Sequence, residues 1–144
     1  MNSFTGKLLV CDMDGTLLNS KREISDENKT ALFDFVKHGG RFSVATGRDE
    51  VSVGRYLEEL PVNLPVIVYN GAAIFDYSVN RTVWHKYLDR GVYPILTDLM
   101  MAFPDLGVEI YQENNIFVLK ENSATKAQIE RDFFIPCYAP MGKI

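Results

Sequence analysis

Two carboxylates spaced two residues apart, Asp12 and Asp14, follow a short apolar run and precede Gly15-Thr16. In extended backbone, residues two apart share a face, so both acids point into one crevice while Met13 points away. Paired carboxylates suit metal binding, or a nucleophile beside an acid/base group. Gly15 permits the sharp exit that leaves both acids at the lip. A second group is Ser43-Val44-Ala45-Thr46-Gly47-Arg48. There the Thr46 hydroxyl can donate to a phosphate oxygen and Gly47 lets its N–H approach closely. A helix starting just beyond would aim its N-terminus at the same anion. Asn70-Gly71-Ala72 makes a third loop of this kind.

Other readings compete for the acid pair. Asp-x-Asp-Gly could open a calcium loop, and Glu23 falls at the twelfth position from Asp12, but the sixth position, which needs Gly, is Leu17. A receiver domain also places acids after its first strand, yet it wants an Asp after its third, where this chain has Tyr69-Asn70-Gly71. Asp-Gly is also common in plain solvated turns. Thr-Gly-Arg alone is weak, because strand-to-helix turns often use Gly; its force comes from the acid pair at the neighbouring strand end.

The elements that must carry these groups can be read from periodicity. Residues 7–11 form an apolar run that stops abruptly at Asp12, the pattern of a strand buried on both faces in a parallel sheet. Ala31, Leu32, Phe35 and Val36 predict a helix over 26–38, capped by Ser25 or Asp26 and stopped by Gly39-Gly40. Residues 41–45 read as a second strand. Val53, Tyr56, Leu57 and Leu60 predict a second helix over 49–60, ended by Pro61, and 66–69 a third strand. Strand, helix, strand, helix, strand is the grammar of a right-handed parallel α/β unit, and ligands collect at the carboxyl ends of its strands. After Asn70 the pattern changes to a hairpin (73–77 with 82–87), a helix over 93–103, strands at 108–112 and 116–120, and a helix over 123–134.

Composition narrows the function classes. The chain has 144 residues, 47% hydrophobic and 24% charged, as an ordinary globular domain does. A net charge of −4 and a pI near 5.1 argue against a nucleic-acid backbone as partner. The longest apolar stretches fall far short of the roughly 20 residues of a spanning helix, which argues against a membrane. The start carries no apolar signal segment, so a cytoplasmic location is expected. Cys11 and Cys137 stand far apart, with no Cys/His grouping around either, so neither zinc nor a disulfide framework is indicated. Trp84, His85, Met100-Met101 and Phe133-Phe134 read as packing or surface residues.

Asp12-Met13-Asp14-Gly15-Thr16-Leu17-Leu18, Ala45-Thr46-Gly47-Arg48 and Asn70-Gly71-Ala72, in that order, resemble the haloacid dehalogenase (HAD) superfamily, specifically its Cof-type phosphatases with a large α/β cap. The resemblance implies an α/β fold: a partial HAD-like, Rossmann-like, three-layer parallel core over 1–80 and an incomplete α+β cap subdomain over 81–144. It implies that Asp12 is the nucleophile, forming an aspartyl-phosphate, and that Asp14 is the general acid and then base. Both would hold Mg²⁺, Asp14 through its backbone carbonyl. Thr46 and the Gly47 amide would hold the phosphate, and Arg48 and Asn70 would help place the substrate, a small phosphorylated metabolite such as a sugar phosphate.

The family also carries a phosphate-steadying Lys after its cap and a later acidic pair that completes the metal shell. Neither has a counterpart here; Lys143 is the only late Lys near a Gly. The chain thus looks like the N-terminal half of such a phosphatase. The rival expectation is a truncated, catalytically incompetent relative that keeps a weak phosphate or metal site, or serves as an interaction module. In the family's sheet the first strand is central; here it would be an edge, which predicts either a homodimer covering it or a piece of a longer protein.

Overall fold

The computed structural model describes residues 3–112, 115–132 and 134–138. The chain divides into two compact units, Met1–Tyr87 and Leu88–Ile144. The first opens with strand β1 (Leu8–Cys11), helix α1 (Asp26–Lys37), strand β2 (Arg41–Val44), helix α2 (Glu50–Leu57) and strand β3 (Val66–Val68). A 3-10 turn, Tyr69–Gly71, then leads into strands β4 (Ala73–Asp76) and β5 (Arg81–His85). Because β5 pairs with β4, the hairpin stays whole within the first unit.

β1 and β2 run parallel, with Leu8 opposite Arg41 and Cys11 opposite Val44. A parallel bridge between Ala45 and Ile67 ties β2 to β3, and β3, β4 and β5 continue antiparallel. The expected alternation of strands and helices is therefore present. The core is built from Leu32 of α1, Phe42 and Val44 of β2, Val53 of α2, and Val66 and Val68 of β3, closed by Met13, Leu17, Leu18, Ile24, Leu60 and Ala73. β2 is buried on both faces: Phe42 and Val44 are wholly inaccessible, and Ser43 on the opposite face donates to the Pro65 carbonyl at 2.6 Å.

Two local readings change. β1 is not buried on both faces: Leu8, Leu9 and Val10 are 63%, 36% and 42% exposed, because among the described residues β2 is its one sheet neighbour. α2 ends at Leu57, before residue 60, since the amides of Glu59 and Leu60 bond three residues back, to Tyr56 and Leu57, and tighten the chain ahead of Pro61.

The second unit contains helix α3 (Val92–Ala102), strands β6 (Val108–Gln112) and β7 (Asn115–Lys120), helix α4 (Ser123–Asp132) and strand β8 (Cys137–Tyr138). β6 and β7 are antiparallel and β8 adds parallel to β7. β8 is new: two residues after Pro136 are too short to show an alternation. No helix among the described residues is long and apolar enough to cross a membrane.

Candidate active site

Parallel pairing puts the ends of β1 and β2 on one rim of the sheet. The Ala45 amide donates to the Cys11 carbonyl at 2.9 Å, so Asp12 and Thr46 leave their strands within about a residue of the same level. Met13 explains how the acid pair faces outward. Its side chain is wholly buried, and its carbonyl accepts from the amides of Leu17 and Leu18 at 3.1 and 2.9 Å, coiling the chain back onto the core. Gly15, at φ +78°, makes that reversal, and Asp12 and Asp14 are left exposed on either side of the anchored Met13. Thr16 Oγ1 donates to Asp12 Oδ2 at 3.1 Å, which fixes one carboxylate oxygen and leaves the other directed by the loop.

Thr46 is held at three points. Its amide donates to the Ile67 carbonyl and its carbonyl accepts from the Asn70 amide, both at 3.0 Å, while its hydroxyl oxygen accepts from the Arg48 amide at 3.2 Å. The side chain is nearly inaccessible, so this hydroxyl is aimed by structure and not by chance solvation. Gly47 lies beneath the Asn70 amide: a Cβ there would stand 2.9 Å from Asn70 Oδ1 and 3.1 Å from Nδ2. Tyr69 and Asn70 are both left-handed, at φ 53° and 54°. Such backbone is costly for these residues and needs over-determination by its surroundings. Tyr69 has it: its amide donates to the Arg48 carbonyl at 3.0 Å and its hydroxyl to Glu50 Oε2 at 2.6 Å.

Arg48 turns inward. It is 6% exposed, and its guanidinium forks onto Asp14, with Nε to Oδ2 and Nη2 to Oδ1 both at 2.7 Å. Nη1 donates to Ser52 Oγ at 3.2 Å, and the guanidinium carbon lies 5.2 Å from the centre of the Tyr56 ring. Ser52 and Tyr56 were not anticipated, although Arg48, Ser52 and Tyr56 recur every four residues, the spacing of one helical face. The N-terminus of α2 does not offer all its donors to an anion, because Asp49 Oδ1 accepts from the Ser52 amide at 2.7 Å and caps the helix.

Among the described residues no three His, Cys, Asp or Glu side chains group as metal ligands. The donor set still fits magnesium in part: the exposed Asp12 carboxylate and the Asp14 main chain are hard oxygens, and Mg²⁺ keeps several waters and is held through one or two carboxylates plus substrate phosphate. Lys143 lies outside the described residues. A surface cleft of about 410 Å³ includes Asn19, Arg22, Glu23, Lys29, Tyr56 and Glu59 in its walls but none of Asp12, Asp14, Thr46, Arg48 or Asn70. Lys29 and Glu59 form an ion pair in it.

The model of the haloacid dehalogenase-like hydrolase family matches residues 9–139. The phosphatase YwpJ of Bacillus subtilis is 40% identical over 92 residues, 63% of this chain and 32% of that protein. The 5-amino-6-(5-phospho-D-ribitylamino)uracil phosphatase YcsE of the same organism is 38% identical over 93 residues, 65% of this chain and 37% of that one. Among solved structures, a haloacid dehalogenase-like hydrolase from Bacteroides thetaiotaomicron superposes with a TM-score of 0.73 at 26% identity, covering 92% of this chain and 51% of that one. A HAD subclass IIB sugar phosphatase superposes with a TM-score of 0.76 at 20% identity, covering 95% and 54%. The chain spans about half the length of these structures and less than that of the curated relatives.

Proposed function

Because the chain belongs to the haloacid dehalogenase-like hydrolase family, we propose that it carries the nucleophilic half of a Mg²⁺-dependent phosphomonoesterase for a small phosphorylated metabolite, a sugar or polyol phosphate above all. The observation that supports this most is the parallel register of β1 and β2, which brings the chain at Asp12 and at Thr46 out at one rim of the sheet. The relatives' names point the same way, since one hydrolyses a phosphoribityl compound and another is a sugar phosphatase.

In this reading an Asp12 oxygen attacks phosphorus while the bond from phosphorus to the substrate oxygen breaks. Asp14 gives its proton to the departing alkoxide, then takes one from the water that attacks the aspartyl-phosphate and frees Asp12. Thr46 accepts from the Arg48 amide, which turns its own hydroxyl hydrogen toward a phosphate oxygen. Arg48 and Asn70 flank the same rim, Arg48 through its bonds to Asp14 and Asn70 over Gly47. Magnesium would be held by the Asp12 carboxylate and the Asp14 carbonyl, where it offsets repulsion between the carboxylate nucleophile and an anionic substrate.

The test is hydrolysis of p-nitrophenyl phosphate with Mg²⁺. Asp12→Asn should abolish it, and an undiminished rate in that variant would overturn the assignment. Among the described residues no third acid joins Asp12 and Asp14 in a metal-ligating group, which favours a second reading, a weak phosphate and metal site without turnover. Calorimetric titration with Mg²⁺ and beryllium fluoride separates the two: binding without hydrolysis supports the second, and no binding removes both.

A further inference from the structure

Resting on the reading of Asp14 as the proton donor, we propose that Arg48 is the positioning residue for that donor, and that Ser52 and Tyr56 set Arg48 in place. A guanidinium fork is planar and rigid, so two parallel bonds to one carboxylate fix its plane as well as its place. Here both bonds are 2.7 Å, and the Arg48 side chain is 4% exposed against 49% for Asp14. The buried member is therefore the template and the half-exposed member is the part presented outward. Each carboxylate oxygen has two lone-pair directions, and the fork occupies one of each.

What holds the template is equally specific. Ser52 is 2% exposed, accepts from Nη1 and is fixed by the Asp49 cap through its own amide. The Tyr56 ring lies against the guanidinium at cation–π distance. A helix thus carries its register, through a buried arginine, to a side chain on the neighbouring strand end. Arg48 would therefore act on the leaving oxygen through Asp14, beyond the substrate-placing part that the resemblance implies.

The leaving group gives the readout. An aryl ester departs as a stabilised phenolate and needs little protonation, whereas an alkyl ester such as glycerol phosphate depends on the acid. Arg48→Met keeps length and removes the fork. It should lower the ratio of kcat on glycerol phosphate to kcat on p-nitrophenyl phosphate by about 10- to 100-fold, up to the lower end of the roughly 100- to 10,000-fold attributed to a positioned acid, because Arg48 acts only through that acid. Asp14→Asn should lower the same ratio at least as far. Arg48→Lys keeps the charge but gives a point contact in place of the fork, and should fall between; it also serves if Arg48→Met does not fold. An unchanged ratio in both Arg48 variants, or equal loss on both esters, would overturn the inference while Asp14→Asn still split the esters. A wild-type chain that hydrolyses neither ester would overturn the phosphatase reading, and this inference with it.

Discussion

Gly47 and Asn70 occupy one volume, and that crowding can be measured. A methyl group at position 47 would stand 2.9 Å from Asn70 Oδ1, closer than carbon and oxygen tolerate. Gly47→Ala should therefore push the Asn70 amide aside at a cost of about 1 kcal/mol, the low end of overpacking, because the obstacle is the end of a side chain that can turn away. Asn70 is at φ 54°, where Gly is at ease, so Asn70→Gly removes the obstacle without straining the backbone. In that background the cost of Gly47→Ala should vanish, and urea unfolding of the four proteins of the cycle checks it. Tyr77 offers a second residue-scale prediction. Burial, and then the nearby Glu50 and Asp49, push its hydroxyl well above the usual value of 10.0, and it donates to the Glu50 carbonyl at 2.5 Å. The folded state thus retains a proton that the unfolded chain releases near pH 10. The stability it contributes is complete below that pH and is lost as pH rises further. Tyr77→Phe should be less stable than wild type at pH 7, and the gap should narrow above pH 10 in denaturant titrations. Neither feature was legible in the sequence, because both join residues more than twenty positions apart through contacts that leave no periodic trace.

The elements were more legible than the contacts between them, for a physical reason. Apolar spacing reports which face a helix or strand buries, and Leu32, Val53, Phe42 and Val44 are all in the core that this spacing implies. Spacing says nothing about how many neighbours a strand has, so β1 and β2 read alike although only β2 is buried on both sides. The same limit applies at the rim. Asp12, Asp14 and Thr46 could be placed there from their positions at strand ends. The fork between Arg48 and Asp14 could not, since its partners sit on different elements and an arginine's reach is not encoded in its position. The elements themselves yield sharp expectations. Phe42 is wholly buried in the strand between β1 and β3, so Phe42→Ala should cost about 3–5 kcal/mol in urea unfolding. Asp49 caps an eight-residue helix, and Asp49→Ala should cost about 0.5–2 kcal/mol while also freeing Ser52 from its seat beneath Arg48.

At the scale of the molecule, β1 is where the sheet stops short. Leu8 and Val10 share one face and are 63% and 42% exposed, and β1 pairs with β2 alone among the described strands. Backbone donors and acceptors along such an edge form a template for another strand, and proteins ordinarily blunt it with charge, proline or a bulge. Lys7 stands just before the strand, but Leu8 to Cys11 contain neither charge nor proline. The resemblance to a family whose first strand is central gives the same expectation from the opposite direction. We propose that in the 144-residue chain a second copy covers this edge, strand to strand, burying Leu8 and Val10 of both. Sedimentation should then show association that strengthens with concentration. Leu8→Lys with Val10→Lys places two charges on the exposed face and should shift the chain toward monomer. Their effect on folding should be small, because Leu8 is 63% and Val10 42% exposed already. A wild-type chain that stays monomeric and folded across concentration would show that an apolar edge of four residues is too short to recruit a partner, and would sink the dimer.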